Sequence, residues 1–220
     1  MGIKVIITGA TGLVGEGVLL ECLENPEVQE VLMVNRRPYN LQHAKLKECI
    51  VADFFKLDEV QDQLTGYDTC FYCAGISSAG MNEQAYTRIT YDTPLFFAGK
   101  LASLNPGMIF NHVSGGHTDS SEKGKVMWAR VKGKTENALM RLPFKKVYNF
   151  RPGFMKPTAG QQNVKGHYKV INFLFPVLVF LFPKHGITLK EVGLAMINSV
   201  LKGYSKPVLE VTDIRILAKG

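Results

Sequence analysis

An apolar run that leads into regularly spaced glycines constrains the fold of this chain more than any other feature. Residues 3–8 read IKVIIT, and residues 9–17 read GATGLVGEG. Short, β-branched, apolar runs are typical of strands buried in a parallel sheet. From Leu13 onward the apolar residues have helical spacing. The junction therefore predicts a strand that turns tightly into a helix, whose free N–H groups can face an anion.

Glycine is needed at three positions of this junction for three different physical reasons. Gly9 permits the tight turn, Gly12 lets a pyrophosphate approach the backbone, and Gly15 lets the helix pack close to the sheet. A strand before the pattern and a helix after it are the context in which such a pattern binds a dinucleotide. We therefore expect the cofactor phosphates to contact Gly9, Thr11, Gly12, Leu13 and Gly15.

Strand-like and helix-like segments alternate along the chain as far as Gly153. This alternation predicts an α/β fold with a doubly wound parallel sheet of the Rossmann type. We expect residues 1–153 to form the nucleotide-binding domain and residues 154–220 a small lobe that completes it. Two long helices are predicted over residues 82–104, with a kink near Pro94, and over residues 120–142.

The end of the second predicted strand indicates which dinucleotide binds. A carboxylate there would favour NAD through the ribose hydroxyls, but the sequence is Asn35-Arg36-Arg37. Two guanidinium groups suit a 2′-phosphate, so NADP(H) is predicted and NAD is less favoured. Asp53, after the third strand, is expected at the adenine edge. Ala74 and Gly75, after the fourth strand, are expected against the adenosine.

Charge and cysteine usage narrow the classes of partner. The net charge is +7, with −5 in residues 1–110 and +12 in residues 111–220, so the second half attracts anions. The basic residues form no dense run, and no nucleic-acid partner is expected. Cys70 and Cys73 have C-x-x-C spacing, but positions three apart on a strand face opposite sides. Neither a metal site nor a disulfide is predicted, and a reducing cytoplasmic location fits best.

An apolar segment lies between Val170 and Pro183. Its fourteen residues are too few to span a bilayer, which needs about 20, and Pro176 interrupts it. Three interpretations remain: a buried helix or substrate lid, an exposed surface for a homodimer or protein partner, and shallow membrane contact assisted by Lys165, Lys169 and Lys184.

The combined features resemble the short-chain dehydrogenase/reductase superfamily, in particular its extended and atypical branches. Those branches contain NAD(P)-dependent epimerase/dehydratase-like proteins and Tat-interacting-protein-like oxidoreductases. The resemblance rests on TGATGLVG, Asp53, the CAG that ends at Gly75, Ser114, Lys132, and the RPG of residues 151–153. It implies that Ser114 binds a substrate oxygen, that Lys132 binds the nicotinamide ribose, and that Pro152 and Gly153 back the nicotinamide.

The chain departs from that family where a catalytic Tyr is expected, because Trp128 stands four residues before Lys132. An indole donates a hydrogen bond but has no proton to exchange near neutral pH. A reductase of a small apolar carbonyl compound is the favoured interpretation, with His117, Tyr86, Tyr91 or water as proton source. A catalytically silent NADP(H)-binding sensor or partner-binding protein is the alternative. In a third interpretation, Trp128 is simply part of the core.

Overall fold

The computed structural model describes residues 2–164, 175–176, 179, 181–182 and 184–220. Most of the apolar segment 170–183 lies outside the described residues, as do Lys165 and Lys169, so its three interpretations stay open. Within the segment, Phe175 is buried, whereas Leu181 and Phe182 are exposed. Among the described residues, no helix combines the length and apolar character that crossing a bilayer requires.

Seven parallel strands form the central sheet, in the order β3-β2-β1-β4-β5-β6-β9. The strands are β1 (Ile3–Thr8), β2 (Val28–Asn35), β3 (Leu46–Ile50), β4 (Thr69–Tyr72), β5 (Ile109–Val113), β6 (Lys146–Arg151) and β9 (Val208–Glu210). A separate parallel pair consists of β7 (Phe154–Lys156) and β8 (Gly186–Thr188). The strand order reverses between β1 and β4, which is where such folds bind ligands, at the carboxyl ends of the strands. The predicted doubly wound Rossmann-type fold is confirmed.

Helices cover both faces of this sheet. They are α1 (Leu13–Glu24), α2 (Glu83–Thr87), α3 (Thr93–Leu104), α4 (Met127–Leu139), α5 (Leu189–Leu201) and α6 (Val211–Lys219), with a 3₁₀ helix at Asp58–Leu64. Side chains of β1 alternate between two cores: Val5 and Ile7 pack with α1, α5 and α6, and Ile6 packs with α3. Cys70 lies in the second of these cores, whereas Cys73, which follows β4, packs against the first, and both are free.

A π-helical turn at Arg88–Asp92 joins α2 to α3, at the site of the predicted kink. Pro94 has no N–H to give to the carbonyl of Thr90, four residues earlier. That carbonyl instead accepts a hydrogen bond of 2.9 Å from the Thr135 hydroxyl on α4. The proline thus leaves an acceptor that a neighbouring helix satisfies, and this bond fixes α4 against the π turn.

The prediction that the next helix begins at Ser120 is wrong, because α4 begins at Met127. The Asp119 carboxylate accepts hydrogen bonds from the backbone N–H groups of Ser121 and Gly124 and from the Ser121 hydroxyl. Such local bonds compete with helix formation. Glu122 also has a φ of 61°, which no α-helix contains. Trp128 consequently lies in the first turn of α4.

The carboxyl-terminal part of the chain packs directly on the part that precedes residue 153. β9 pairs with β6 at the edge of the central sheet, and α5 packs against α1, where Gly193 lies beside Val18 and Glu21. The helix α5 starts with a capping box, since the Thr188 hydroxyl accepts from the Glu191 N–H and the Glu191 carboxylate accepts from the Thr188 N–H. We retain the division at residue 153 as a proposal about function.

Candidate cofactor cleft and active site

The glycine loop folds back on the end of β4. Gly9 has a φ of 70°, and a Cβ there would lie 2.6 Å from the Ala74 amide nitrogen. A Cβ on Gly15 would overlap the Gly9 carbonyl oxygen, so both positions need glycine for the fold itself. Gly12 differs: its backbone is extended, and its Cβ would meet only that same oxygen at 3.3 Å. Of these three glycines, Gly12 is the one that packing alone does not explain.

A cavity of about 440 Å³ opens beside this loop at the carboxyl ends of the strands. Its walls come from the glycine loop, from the ends of β2 and β4, from the loop after β3 and from the π turn. The residues predicted for cofactor binding that line it are Gly9, Thr11, Gly12, Arg36, Asp53, Ala74 and Gly75. Sequence segments that are far apart therefore meet in one cleft, as the predicted dinucleotide requires.

At the end of this cleft next to β2 and β3, Arg36 lines the cavity, and Arg37 is exposed beside it. Two nearby groups were not predicted from the sequence. The Glu48 carboxylate on β3 accepts hydrogen bonds from the Asn35 side chain at 3.4 Å and from the Tyr39 N–H at 2.8 Å. Arg88 on the π turn also lines the cleft, with its guanidinium carbon 5.7 Å from the centre of the Phe55 ring.

Two further residues near Phe55 and Tyr39 hold loops in place. The Asp53 carboxylate accepts the Phe55 N–H at 3.0 Å, which shapes the turn after β3. Glu16, although only 1% exposed, accepts hydrogen bonds from the Tyr39 hydroxyl at 2.9 Å and from the Asn163 N–H at 2.8 Å. The loops that follow β2 and β7 are therefore tied to the first turn of α1.

Leu13 is the first residue of α1 and lies close to the hydrogen bonds of Glu16. Its carbonyl oxygen accepts a hydrogen bond of 2.7 Å from the Gln161 side chain. Gln161 also accepts the Thr158 N–H through its side-chain oxygen, at 2.7 Å. The carbonyl of Leu13 is thus bonded to the loop after β7. The backbone N–H of Leu13 is the group that we expect to contact a cofactor.

Ser114 follows β5 directly and is held by hydrogen bonds to three neighbouring groups. Its N–H donates to the Phe150 carbonyl at 2.8 Å, and its hydroxyl lies 3.0 Å from the Thr118 hydroxyl. Its carbonyl oxygen accepts a hydrogen bond of 2.6 Å from the Lys132 ammonium. A Cβ on Gly115 would lie 3.2 Å from the same ammonium nitrogen. Ser114 and Lys132, 18 residues apart, therefore lie in contact, and their roles toward substrate and ribose stay predictions.

Trp128 lies one helical turn before Lys132 on α4 and is half-buried. Neither of the two hydrophobic cores of the described residues includes it. Burial lowers the pKa of Lys132, and the negative charge of Glu136, one turn further along α4, partly opposes that shift.

Glu136 is completely buried and belongs to an ion pair with Arg151, at the end of β6. The Arg151 guanidinium donates to the Glu136 carboxylate from Nε at 3.0 Å, to Ser120 at 2.6 Å and to Glu210 at 3.2 Å. Removing one partner of a buried ion pair would leave an uncompensated charge. The pair therefore fixes α4, and with it Trp128 and Lys132, against the end of the sheet.

A second, smaller cavity of about 30 Å³ lies between this cluster and the cleft. Lys132, Tyr86, Thr90 and His112 all line it, together with Gly75 at its boundary with the cleft. Burial raises the pKa of Tyr86 and lowers the pKa of His112 to about 4. The volume suffices for one water molecule.

The other two candidate proton sources lie elsewhere. His117 is exposed, has a φ of 64°, and stacks on His185 with ring centres 5.7 Å apart. Tyr91 is covered by Lys134, whose ammonium nitrogen lies 4.4 Å from the ring centre. Of the three side chains predicted as alternative proton sources, only Tyr86 shares a cavity with Lys132.

Pro152 and Gly153 close the site on the side of the loop after β5. The Pro152 carbonyl accepts the Gly116 N–H at 3.1 Å. A Cβ on Gly153 would overlap the His185 carbonyl oxygen, and that oxygen also accepts the Phe154 N–H at 2.6 Å. Packing against the segment before β8 thus accounts for Gly153 as a glycine, whether or not a nicotinamide lies near it.

Comparison with known sequences finds similarity in the same region. Residues 5–95 match the family described as NAD dependent epimerase/dehydratase family. Rat protein HTATIP2 is 29% identical over 154 residues, which span 69% of this chain but only 62% of the rat protein. Protein FMP52, mitochondrial, from Meyerozyma guilliermondii is 26% identical over 215 residues, or 96% of this chain and 91% of that protein.

Solved structures with the same architecture include MoeE5, determined in complex with UDP-glucose and NAD, with a TM-score of 0.67. It is 15% identical, and the alignment covers 98% of this chain and 81% of MoeE5. The glucuronic acid dehydrogenase of Chromohalobacter salexigens has a TM-score of 0.67 and 14% identity, with 95% and 76% coverage. Identity this low establishes the fold alone. The resemblance inferred from the sequence is confirmed to this extent: residues 5–95 are similar to the NAD dependent epimerase/dehydratase family, and the chain shares the fold of MoeE5 and of the glucuronic acid dehydrogenase.

Proposed function

We propose that the chain is an NADP(H)-dependent oxidoreductase that reduces a small apolar carbonyl compound. The observation that carries this proposal is the continuity of the site. A cleft runs from Arg36, past the glycine loop, to Gly75, which borders the small cavity that Lys132 also lines. The glycine loop would bind the pyrophosphate, Arg36 would bind the 2′-phosphate at one end, and Lys132 would bind the ribose at the other end. This arrangement fits one dinucleotide.

Each part of this site has a separate task. The glycine loop offers N–H groups at the start of α1 to the pyrophosphate. The bound cofactor supplies the hydride. Lys132 binds the nicotinamide ribose, and the Ser114 hydroxyl, which can donate or accept, orients the substrate oxygen. The Trp128 indole, one turn before Lys132, adds a hydrogen-bond donor toward that oxygen.

Exposed apolar side chains beside the cleft support a small apolar substrate. Ile76 at the cleft and Phe154 after Gly153 are exposed, at 38% and 48%. Such surfaces gain from contact with an apolar ligand.

The second candidate function is a cofactor-binding sensor that does not turn over, and Trp128 favours it because an indole cannot exchange the proton that reduction needs. Trp128 is the only tryptophan of the chain, so energy transfer from its indole to NADPH reports binding directly. Measuring NADPH oxidation with a panel of aldehydes and ketones then separates the candidates. Binding without oxidation by any compound would favour the sensor.

The cofactor preference leads to a prediction about Arg36. A charge-assisted hydrogen bond contributes roughly 1.5–3 kcal/mol, or about ten- to hundredfold in affinity. We expect NADPH to bind more tightly than NADH by about this factor, and Arg36→Ala to remove most of the difference. Calorimetry with both cofactors at moderate ionic strength measures the ratio of the two affinities. Arg37→Ala is the matched control and should change the ratio less, because Arg37 lies beside the cleft. Equal affinities of the parent for NADPH and NADH would contradict the preference.

The partners and location of the protein are also proposals. Phe96 on α3 and Met140 after α4 are exposed apolar residues, which supports a homodimer or a protein partner through these helices. Sedimentation analysis tests this directly. We propose the cytoplasm as the location because all four cysteines are free, whereas the relative FMP52 is named as mitochondrial. Cell fractionation decides between the two.

A further inference from the structure

Reduction of a carbonyl requires a proton as well as a hydride. The hydride of NADPH forms the new C–H bond, the carbonyl π electrons move to oxygen, and the resulting alkoxide takes a proton from an acid. Where the family has a Tyr phenol, this chain has Trp128. The reductase proposed above is therefore incomplete until an acid is identified among the groups near the nicotinamide end of the cleft.

We propose that the Lys132 ammonium is itself this acid, in addition to binding the ribose. It donates a proton to the alkoxide, becomes a neutral amine, and recovers the proton from water. This inference rests on the proposed function, because a protein without turnover needs no acid.

The position of the ammonium supports this role. Its nitrogen lies 2.6 Å from the backbone carbonyl oxygen of Ser114 and directly beside Gly115, so it contacts the residue whose hydroxyl is expected to orient the substrate oxygen. An ammonium has three donors, and among the described residues one of them is used by Ser114. Two donors are therefore free for a ribose hydroxyl and for the substrate oxygen.

Elimination among the ionisable groups of the small cavity supports the same choice. Tyr72 and Tyr86 line that cavity, but burial raises the pKa of each phenol, which makes both of them weaker acids. His112 lines it too, but its pKa of about 4 leaves the ring neutral at neutral pH. Its Nδ1 is already within 3.0 Å of Asn149. Lys132 remains as the cavity group whose charged form carries a proton to donate and whose burial makes it more acidic.

The charges around Lys132 are consistent with an ammonium that can lose its proton. Burial lowers its pKa, and this effect is larger than the opposing attraction of Glu136 on the same helix. Arg151 from β6 is paired with that Glu136 carboxylate and so reduces its influence. Tyr86 from α2 and His112 from β5 face the cavity without charge at neutral pH. Loss of the Lys132 proton is therefore not strongly opposed by the neighbouring charges.

Lys132→Arg separates the two roles of this residue. A guanidinium keeps the charge and the donors toward the ribose, but it does not release a proton in proteins. We expect NADPH affinity, measured by energy transfer from Trp128, to change by less than about tenfold, while kcat falls by about 10²–10⁴-fold. Lys134→Arg is the matched control, since Lys134 lies on the same helix above Tyr91, and should leave both quantities unchanged.

A second measurement covers the case in which the larger arginine displaces the cofactor. In Lys132→Ala at saturating NADPH, added methylammonium should restore part of kcat, because a free ammonium can occupy the vacated space and donate. In the parent protein, kcat for reduction should be constant at low pH and fall as the pH rises through a value below the ordinary lysine pKa, where the ammonium is lost.

These outcomes distinguish the inference from the function on which it rests. Parental kcat in Lys132→Arg overturns the acid role, as does the absence of methylammonium rescue in Lys132→Ala with cofactor bound. A parent protein that binds NADPH but reduces none of the carbonyl compounds overturns the reductase proposal itself, and the acid role with it.

Discussion

Replacing Gly12 with Val should abolish dinucleotide binding and leave the protein folded. The backbone of Gly12 is extended, with a φ of −101°, which any residue adopts. Its added Cβ would contact only the Gly9 carbonyl oxygen, at 3.3 Å, so a shift of a few tenths of an ångström accommodates it. The valine methyl groups would instead occupy the cleft that Gly12 lines, where the pyrophosphate is expected.

The size of this effect follows from the bonds that are lost. If a pyrophosphate can no longer approach the N–H groups of the loop, two charge-assisted hydrogen bonds disappear, at roughly 1.5–3 kcal/mol each. Affinity should therefore fall by about 10²–10⁴-fold, for NADPH and NADH alike. Energy transfer from Trp128 measures the affinity, and a thermal unfolding curve shows whether the fold is intact.

Gly15→Ala is the control with the opposite outcome. Its Cβ would overlap the Gly9 carbonyl oxygen inside the folded loop, so this smaller substitution should lower the unfolding temperature. The pair separates a glycine needed by the ligand from a glycine needed by the fold. Parental NADPH affinity in Gly12→Val would show that the loop does not bind the pyrophosphate.

The local parts of the fold were predictable because their signals are local. The β1–loop–α1 junction is encoded by an apolar run, three glycines and helical spacing within 24 residues. The capping box at Thr188 and Glu191 spans four residues and is equally visible. Pairing Ser114 with Lys132 was predictable only through the family resemblance, because nothing local brings together residues on different elements.

The missed features depend on contacts between distant segments or on competition between local bonds. The Glu16 carboxylate accepts hydrogen bonds from the backbone N–H groups of Gln162 and Asn163, which are 146 and 147 positions further along the chain. The position of Glu16 in its helix gives no sign of these bonds. Arg88 lines the cleft from the start of a π turn, an element that the sequence did not predict. The start of α4 was placed too early because the hydrogen bonds of Asp119 outweigh the helical pattern around it. Such outcomes depend on the folded neighbourhood, which sequence spacing does not encode.

Replacing Trp128 with Tyr should increase the rate of carbonyl reduction. Trp128 is half-buried, outside both cores, and one turn from Lys132, so a smaller aromatic ring can replace it at little cost in packing. A phenol beside an ammonium has a lowered pKa, because the positive charge favours the phenolate. Such a phenol exchanges protons near neutral pH, which the indole cannot do. The ammonium of Lys132 would lower the pKa of this phenol, and the hydroxyl of Ser114 would orient the substrate oxygen, without further substitutions.

The expected gain is part of the 10²–10⁴-fold that general acid catalysis typically provides; the parent already obtains some of it if Lys132 is the acid. Initial rates of NADPH oxidation by the parent and by Trp128→Tyr, with the same aldehydes and ketones, measure the gain. Trp128→Phe is the control, because it changes the ring without adding an acid, and it should show no increase. Since both variants lack tryptophan, calorimetry must confirm that they bind NADPH equally.

The decisive combination places Trp128→Tyr on a Lys132→Arg background. If the lysine is the proton donor of the parent, Lys132→Arg alone loses kcat, and the added phenol should restore it, because the guanidinium still lowers the phenol pKa and still binds the ribose. If Lys132 only binds the ribose, Lys132→Arg alone keeps its kcat, and the two substitutions act independently. A Trp128→Tyr variant that binds NADPH but is no faster than Trp128→Phe on any compound would mean that the residue does not face the reacting carbonyl. Trp128 would then occupy a surface position one turn before the site, and the proton route would run through Lys132 without it.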